Sequence, residues 1–145
     1  MGHERRSDDA IREVLRSTRT VAVLGAHLDR DKPAFFVPDY LAGQGYRVLP
    51  VNPTFTGRTV WGEPFRERLA ELEEPVDMVD VFRRAEHLPG HLADILAMAP
   101  RPQVVWLQLG IRHDAFAARL AEAGIDVVQD RCTMADHRAL DLGGR

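Results

Sequence analysis

The sequence predicts an α/β fold built on a doubly wound parallel sheet of about five strands in a single domain. Five short apolar runs alternate with segments of helical periodicity, namely residues 20–24, 46–49, 76–81, 104–107 and 125–128. Strands that alternate with helices form parallel sheets with both faces covered. Four of the runs are followed directly by glycine, proline or glutamine, and the run 76–81 is followed by Phe82 and Arg83. Because such a sheet binds its ligand beyond the carboxyl ends of its strands, we expect the five endings to surround one site.

Length and composition limit the classes of protein that this chain can represent. Its 145 residues predict one domain, with an N-terminal helix in 1–19, a core in 20–132 and a tail in 133–145. The net charge of −3 lacks the positive excess that is typical of nucleic-acid-binding proteins. No apolar run approaches the ~18 residues of a membrane span. The lone Cys132 suits a reducing compartment, and the first residues lack a secretory signal. We predict a cytoplasmic protein without nucleic-acid or membrane partners; its oligomeric state stays open.

The first helix and strand are well marked. Ser7 ahead of two aspartates is typical of a helix N-cap, and Ile11, Val14 and Leu15 share one helical face. The second helix is harder to delimit because Pro38 has no N–H to donate and belongs in a first turn. Regular helix is therefore expected from near Phe36, with residues 25–35 as a long loop. A helix that is kinked at Pro38 is the alternative.

Turn residues and apolar spacing predict the later elements. Pro64 marks the start of a short amphipathic helix whose apolar face is Phe65, Leu69 and Leu72. Asp77 and Asp80 are unusual in a parallel strand, so the third core strand is expected near a sheet edge. Gly124 is expected to end the helix after the fourth strand, and Thr133 to cap a last short helix.

The first strand ending predicts a phosphate site of an unusual kind. Gly25 permits a sharp turn toward the next helix, whose N-terminus suits a phosphate, and Arg30 and Lys32 add positive charge. An ordinary turn with solvated charges explains this loop equally well. The dinucleotide fingerprint G-x-G-x-x-G is absent, because Ala26 and His27 follow the single glycine. No acidic residue closes the second strand either, so a standard NAD site is not expected.

The next endings carry groups that suit an adenosine. Asn52 stands before Pro53 in a rigid loop, where its amide can donate and accept; the alternative is a polar turn in which it bonds its own backbone. Phe82 and Arg83 pair an aromatic face with a guanidinium, although Phe82 in the core and Arg83 on the surface is the plainer arrangement. Gln108 combines an amide with the open backbone of Gly110, which an ordinary strand–helix junction also explains.

The sequence predicts neither a metal site nor a catalytic site. His87 and His91 have the spacing of metal ligands on a helix, but Pro89-Gly90 separates them and no third ligand is near, so we predict no metal site. No G-x-S-x-G or P-loop motif is present, and we predict no catalytic residue. Trp106 lies inside the fourth strand and is expected to pack in the core.

Together the five endings resemble a known family, the small stand-alone CoA-binding proteins. They are similar to the CoA-binding domain of the succinyl-CoA synthetase α subunit and of NDP-forming acyl-CoA synthetases. The segments that carry the resemblance occur in the family's order and are residues 21–26, 45–53, 77–83, 105–110 and 130–132. The resemblance implies coenzyme A as the ligand.

The resemblance also implies a role for each ending. Around the pyrophosphate it places Gly25, Ala26, His27 and Lys32, and around the adenosine Asn52, Pro53, Phe82 and Arg83. Gln108 and Gly110 are implied to face the pantetheine arm. Where His27 stands the family commonly has serine, and it often has serine near Ala34. His27 can replace the lost hydroxyl as a donor.

The function implied is binding of CoA or an acyl-CoA without catalytic machinery, since 145 residues leave no room for the further synthetase domains. An oxidoreductase or transferase using a nucleotide cofactor is the main alternative, and a regulatory module that docks a partner is another. With a strand order of 3-2-1-4-5, adenosine would lean toward strands two and three, and pantetheine toward Cys132. That thiol beside Arg131 is a candidate for a mixed disulfide with CoA, although packing as a small hydrophobe is the favoured reading.

Overall fold

A five-stranded parallel sheet forms the centre of the computed structural model, which describes residues 1–143. These described residues contain seven strands, which are β1 (Thr20–Leu24), β2 (Arg47–Val51), β3 (Thr59–Val60), β4 (Glu63–Pro64), β5 (Met78–Val81), β6 (Val104–Leu107) and β7 (Asp126–Val128). The central sheet has the order β2-β1-β5-β6-β7, and β3 and β4 form a small antiparallel hairpin. The predicted α/β class and five-stranded parallel sheet are confirmed.

Five α-helices cover the two faces of the sheet, as a doubly wound fold requires. They are α1 (Asp8–Ser17), α2 (Pro33–Gly43), α3 (Leu92–Ala97), α4 (Asp114–Glu122) and α5 (Thr133–Ala139). Alternate residues of β1 divide between two apolar clusters: Val21 and Val23 pack with α1 and α2, whereas Ala22 and Leu24 pack with α3 and α4. This two-fold alternation follows from the pleat of the strand.

The strand order corrects one expectation that bears on the site. Numbered along the chain, the five core strands lie in the order 2-1-3-4-5 rather than 3-2-1-4-5. The strands β2 and β5 therefore flank β1 on opposite sides. The strand order reverses between β1 and β5, and the crevice above such a switch point is where open α/β sheets bind ligands.

The acidic residues of β5 do not mark a sheet edge, because β5 is the middle strand. Asp77 lies just before it and accepts hydrogen bonds from the backbone N–H groups of Arg19 and Thr20 at 2.9 and 3.0 Å. Asp80 is fully buried and hydrogen-bonded to Gln108 and Thr133. Both carboxyls have partners inside the protein, which allows them in a central strand.

Helix α2 begins earlier than expected. Pro33 is its first residue and Pro38 lies within it, so the start predicted near Phe36 is wrong and the helix runs through Pro38. The kink at Pro38 stays a prediction. A proline is well placed at the first helical position because its missing N–H needs no partner there. The preceding loop is consequently shorter than predicted, and Ala34 and Phe35 belong to the helix.

Two other boundaries also differ from expectation. Pro64 does not start a helix: it lies in β4, and only a single 3₁₀ turn, Leu69–Glu71, follows. The intervening chain is extended beside β2, where Arg66 donates to Pro50 and accepts from Asn52. At α5 the N-cap is Cys132, and Thr133 is the first helical residue. The predicted caps at Ser7 and Gly124 are confirmed.

Candidate functional site

A cavity of about 780 Å³ opens where the strand endings converge. Eight of the twelve predicted ligand-binding residues line it, namely Gly25, His27, Lys32, Asn52, Phe82, Arg83, Gln108 and Cys132. Residues that the sequence did not single out complete the wall, among them Ala34, Phe36, Val37, Phe55, Leu109 and Ile111. The five endings thus meet at one site, as a parallel sheet predicts.

A second cavity of about 360 Å³ adjoins the first. The two share the wall residues Gly25, Asn52, Thr54 and Arg83. Pro53 lines only the second cavity, together with Arg68, His91 and Asp94. Burial lowers the pKa of His91, and the neighbouring Arg83 lowers it further. Here two guanidinium groups lie near one end of the site.

Three predicted residues line neither cavity. Ala26 is fully buried, and its carbonyl accepts from the side chain of Asn52. Arg30 lies over the Phe35 ring, 5.2 Å from the centroid, on the exposed side of the loop. Gly110 donates its N–H to Asp130 at 2.6 Å in the next loop. Of these three residues, Ala26 lies behind the cavity surface, whereas Arg30 and Gly110 are exposed to solvent.

Gly25 follows β1 directly and lies close to the residues that follow β5. Its φ of +89° lies in the left-handed region. A Cβ added there would lie 3.0 Å from the backbone oxygen of Phe82 and 3.2 Å from Cδ of Arg83. Because Gly25 has no side chain, the Arg83 side chain can pass close to its backbone and line both cavities.

His27 occupies the position where the resemblance implies a hydroxyl. Its Nδ1 accepts a hydrogen bond from the backbone N–H of Asp29 at 2.9 Å. A ring nitrogen that accepts carries no hydrogen, so Nε2 carries it and is the donor. The ring also meets Phe55 edge to face with centroids 4.8 Å apart, which fixes its plane. A cavity-lining imidazole held in this way is suited to donate to a phosphate oxygen.

Asn52 joins two of the loops around the cavity. Its Nδ2 donates to the carbonyl of Ala26 at 2.9 Å, and its Oδ1 accepts from the backbone N–H of Thr54 at 3.0 Å. The second contact is the self-bonded turn that the sequence left open. One N–H of the amide is left toward the cavities. The loop after β2 is therefore tied to the loop after β1, which positions both.

Arg83 has a buried hydrogen-bond donor that is not paired within the described part of the chain. Its Nε is buried and has no hydrogen-bond partner among residues 1–143. Buried donors in native proteins are normally paired, because leaving one unpaired costs about 1–3 kcal/mol. The side chain lines both cavities. An anionic group bound between them would supply the missing acceptor.

Helix α2 presents its N-terminus at the cavity. Lys32 is its N-cap residue, no side chain caps this end, and Lys32, Pro33 and Ala34 all line the wall. The exposed amide ends of such a helix favour negative charge. Lys32 adds a flexible ammonium to the same place.

Beneath Gln108 lies Asp80, which was expected near a sheet edge and is instead buried in the middle strand. Nε2 of Gln108 donates to Oδ1 of Asp80 at 2.6 Å and to Oγ1 of Thr133 at 2.9 Å. Burial raises the pKa of Asp80 to about 7, although hydrogen bonds from Gln108 and Thr133 oppose the shift. An acidic residue inside an apolar parallel strand was the available signal, and it indicates a satisfied buried carboxyl rather than an edge.

The remaining expectations concern Trp106, Cys132 and metals. Trp106 is fully buried and its indole N–H donates to the carbonyl of Arg131 at 2.7 Å, so its place in the core is confirmed. Cys132 is partly exposed at the cavity wall, and its reaction with a thiol stays a prediction. Within residues 1–143, no group of three or more acidic, histidine or cysteine side chains is arranged to hold a metal ion.

Comparison with known proteins identifies the family. A family model described as a CoA binding domain matches residues 19–138. The chain belongs to this CoA-binding family. YneT of Bacillus subtilis strain 168 is 34% identical over 128 residues, which cover 88% of this chain and 91% of YneT.

Solved structures agree on the fold. The cell-free ID.343 structure from Thermus thermophilus is 52% identical, with a TM-score of 0.88 over 93% of this chain and 99% of that one. The dinucleotide-forming acetyl-coenzyme A synthetase 1 of Ca. Korarchaeum cryptofilum, in complex with phosphate and ADP, has a TM-score of 0.65 at 17% identity. That match covers 79% of this chain and 26% of the synthetase, and at this identity it shows the shared fold alone. None of the helices within residues 1–143 is long and apolar enough to cross a membrane.

Proposed function

We propose that this protein binds coenzyme A, free or as an acyl-CoA, in the two adjoining cavities at the carboxyl ends of the strands. Membership of the CoA-binding family supports the ligand class. The observation that carries the proposal is Arg83, whose side chain lines both cavities and whose buried Nε has no hydrogen-bond partner among residues 1–143. CoA is a polyanion with a pyrophosphate and a ribose phosphate, so it supplies acceptors of the kind this donor lacks.

The residues present fit such a ligand. Lys32 and the N-terminus of α2 suit the pyrophosphate, with the Nε2–H of His27 as a further donor. Gly25 leaves open a cradle that a Cβ would fill. The aromatic face of Phe82 and the second cavity suit the adenosine and its 3′-phosphate. The apolar wall near Phe36 and Leu109, which are 39% and 71% exposed, suits the pantetheine arm.

We further propose that the protein contributes no catalytic group to its ligand. The acid with the raised pKa, Asp80, is fully buried under Gln108 and does not line the cavity. Binding alone is the activity that this arrangement supports. A cytoplasmic location is part of the same proposal, which names no particular acyl group and no protein partner.

Native mass spectrometry of the protein purified without added ligand tests the proposal. The expected spectrum contains a fraction of molecules heavier by the mass of CoA or of one acyl-CoA, which disappears when Arg83→Ala is purified in parallel. Retention of a nicotinamide or flavin nucleotide would instead support the oxidoreductase alternative and refute CoA binding.

A further inference from the structure

A closed ring of hydrogen bonds lies directly beneath the cavity wall. Asp80 and Thr133 are fully buried, and Gln108 is 5% exposed. Nε2 of Gln108 donates to Asp80 at 2.6 Å and to Thr133 at 2.9 Å. The Thr133 hydroxyl in turn donates to the other carboxyl oxygen of Asp80 at 3.2 Å. The ring joins the middle strand, the end of β6 and the start of α5 at one point.

The chemistry of a carboxylate decides which end of the Gln108 amide faces it. An ionised carboxylate only accepts hydrogen bonds, so the NH₂ group of Gln108 must face Asp80. Asp80 and Thr133 together then use both hydrogens of that NH₂ group. The amide oxygen receives no hydrogen bond from the described residues, and Gln108 belongs to the cavity wall.

We propose that Asp80 is a positioning residue, which holds the Gln108 amide so that its carbonyl oxygen faces the cavity as a hydrogen-bond acceptor for an amide N–H of the pantetheine arm. The inference rests on the proposed function. Amide N–H groups are common to CoA and acyl-CoA, so the acceptor selects for the arm and not for a particular acyl group. Without Asp80 the Gln108 amide can rotate by half a turn. Its NH₂ group then faces the amide N–H of the pantetheine arm, and two donors cannot form a hydrogen bond.

The arrangement favours this orientation for a physical reason. An amide turned over would place its oxygen 2.6 Å from a carboxylate oxygen, and two buried acceptors at that distance repel. Thr133 reinforces the choice because its hydroxyl hydrogen is already used toward Asp80, which leaves its oxygen to accept. The sequence thus fixes an acceptor at the wall through a residue that never touches the ligand.

Calorimetry in mildly alkaline buffer with two ligands tests the proposal. The ligands are CoA and 3′-phosphoadenosine 5′-diphosphate, which lacks the pantetheine arm. In Asp80→Leu both carboxyl acceptors are lost, and the affinity for CoA is expected to fall about five- to tenfold while that for the fragment is unchanged. In the matched variant Asp80→Asn the new amide offers a donor as well as an acceptor, so it holds the Gln108 amide less strictly in one orientation. Its affinity for CoA is expected to lie between those of the wild type and Asp80→Leu.

Other outcomes overturn the proposal. An equal loss for both ligands in Asp80→Leu would mean a general structural effect, and unchanged CoA affinity would mean that the orientation does not matter. Wild-type protein that binds neither ligand would refute the proposed function instead, before any variant is compared.

Hydrogen exchange of the Gln108 side-chain NH₂ provides a measurement that needs no altered Asp80. Its resonances are assigned by their loss in Gln108→Met. Both hydrogens are expected to exchange slowly in the free wild-type protein, because both are buried and bonded. Rapid exchange would show that the NH₂ faces the cavity, which contradicts the inference whether or not CoA binds.

Discussion

Arg83 is the residue on which ligand recognition is expected to depend most. Its side chain lines both cavities, and its buried Nε has no hydrogen-bond partner in the described part of the chain. Replacing it in Arg83→Ala removes a charge-assisted contact, so CoA binding is expected to weaken by more than about 1 kcal/mol. If Arg83 holds the ribose 3′-phosphate, the variant also loses the preference for CoA over dephospho-CoA. Titration of both ligands into both proteins measures this.

The neighbouring arginine supplies the control. Arg84 is largely exposed, and its guanidinium lies 3.9 Å from Glu86. Arg84→Ala removes the same charge from the same segment and is expected to leave CoA affinity within about twofold, since exposed pairs contribute little. Equal losses of CoA affinity in the two variants would assign the effect to net charge. If Arg83→Ala still preferred CoA over dephospho-CoA, Arg83 would not be the residue that binds the 3′-phosphate.

Substitution of Trp106 tests whether this residue stabilises the core or binds the ligand. It is fully buried, bonded to the Arg131 carbonyl, and lies two residues before Gln108. Trp106→Ala is expected to lower the free energy of unfolding by ~3–5 kcal/mol, as truncation of a core aromatic does. Urea unfolding measures the loss, with Trp61→Ala in the outlying hairpin as the milder control. A Trp106 variant of normal stability that fails to bind CoA would contradict this assignment.

Asp80 makes stability depend on pH in a direction opposite to that of most carboxyls. Burial raises its pKa to about 7 in the folded protein, from 3.8 for the free group. The folded state therefore binds more protons than the unfolded state between these values, and stability falls as pH rises from about 4 to about 7. The full effect corresponds to about 4 kcal/mol, because each pKa unit is worth about 1.4 kcal/mol.

Comparison with Asp80→Asn isolates this contribution. The free energy of unfolding is measured for both proteins in urea at a mildly acidic and a mildly alkaline pH. Other carboxyls, such as Asp94, whose hydrogen bond from Arg68 lowers its pKa, contribute equally to both proteins and cancel. Asp80→Asn is expected to gain stability relative to wild type as pH rises. A constant difference would show that Asp80 titrates normally.

At the scale of elements, the turn after β1 couples the backbone to the site. Gly25 has a positive φ, and an added Cβ would meet Phe82 and Arg83 at 3.0 and 3.2 Å. Gly25→Ala is expected to destabilise the fold by more than about 1 kcal/mol and to weaken CoA binding, because Arg83 must shift. Thermal melting and calorimetry measure the two effects.

Gly57 is a matched control for this substitution. Its φ of +88° is nearly the same, but nothing lies within 4 Å of an added Cβ. Gly57→Ala therefore carries the backbone strain without the clash, and it is expected to cost about 1 kcal/mol of stability with CoA binding unchanged. If the two variants behaved alike, strain alone would explain Gly25 and the coupling to Arg83 would be wrong.

Elements were predictable where local chemistry decides them. The Ser7 cap and the Gly124 stop follow from side-chain and backbone preferences that act within a few residues. Two of the misplaced element boundaries involve proline. Pro38 is tolerated inside α2 and Pro64 lies in a short edge strand, since tertiary packing outweighs the local cost. Proline limits hydrogen bonding but does not alone locate a helix start.

Residues of the candidate site were predictable to the level of the strand ending, and less well to the level of the side chain. The five endings had to meet once the sheet was parallel. Which residue of each ending faces the cavity depends on the turn: Ala26 is buried and bonded to Asn52, whereas Gly110 bonds to Asp130 on the surface and Arg30 is exposed. The phosphate and adenosine roles implied by the resemblance remain predictions.

At the scale of the whole molecule, strand order is what the sequence did not reveal. Both 3-2-1-4-5 and 2-1-3-4-5 have parallel strands with helices on both faces, and nothing local decides on which side of β1 the third core strand is added. The buried Asp80 was the one hint, because its partners Gln108 and Thr133 come from later elements. The observed order places the switch point, and hence both cavities, between β1 and β5.

The central claim is that this crevice is built for CoA and not for a nicotinamide nucleotide. The single glycine at the turn and the absence of an acidic residue after β2 argue against a standard NAD site. Calorimetry with CoA, NAD and NADP tests the claim on the wild-type protein. CoA is expected to bind with the highest affinity and the other two much more weakly. Tighter binding of NAD or NADP than of CoA would contradict the account.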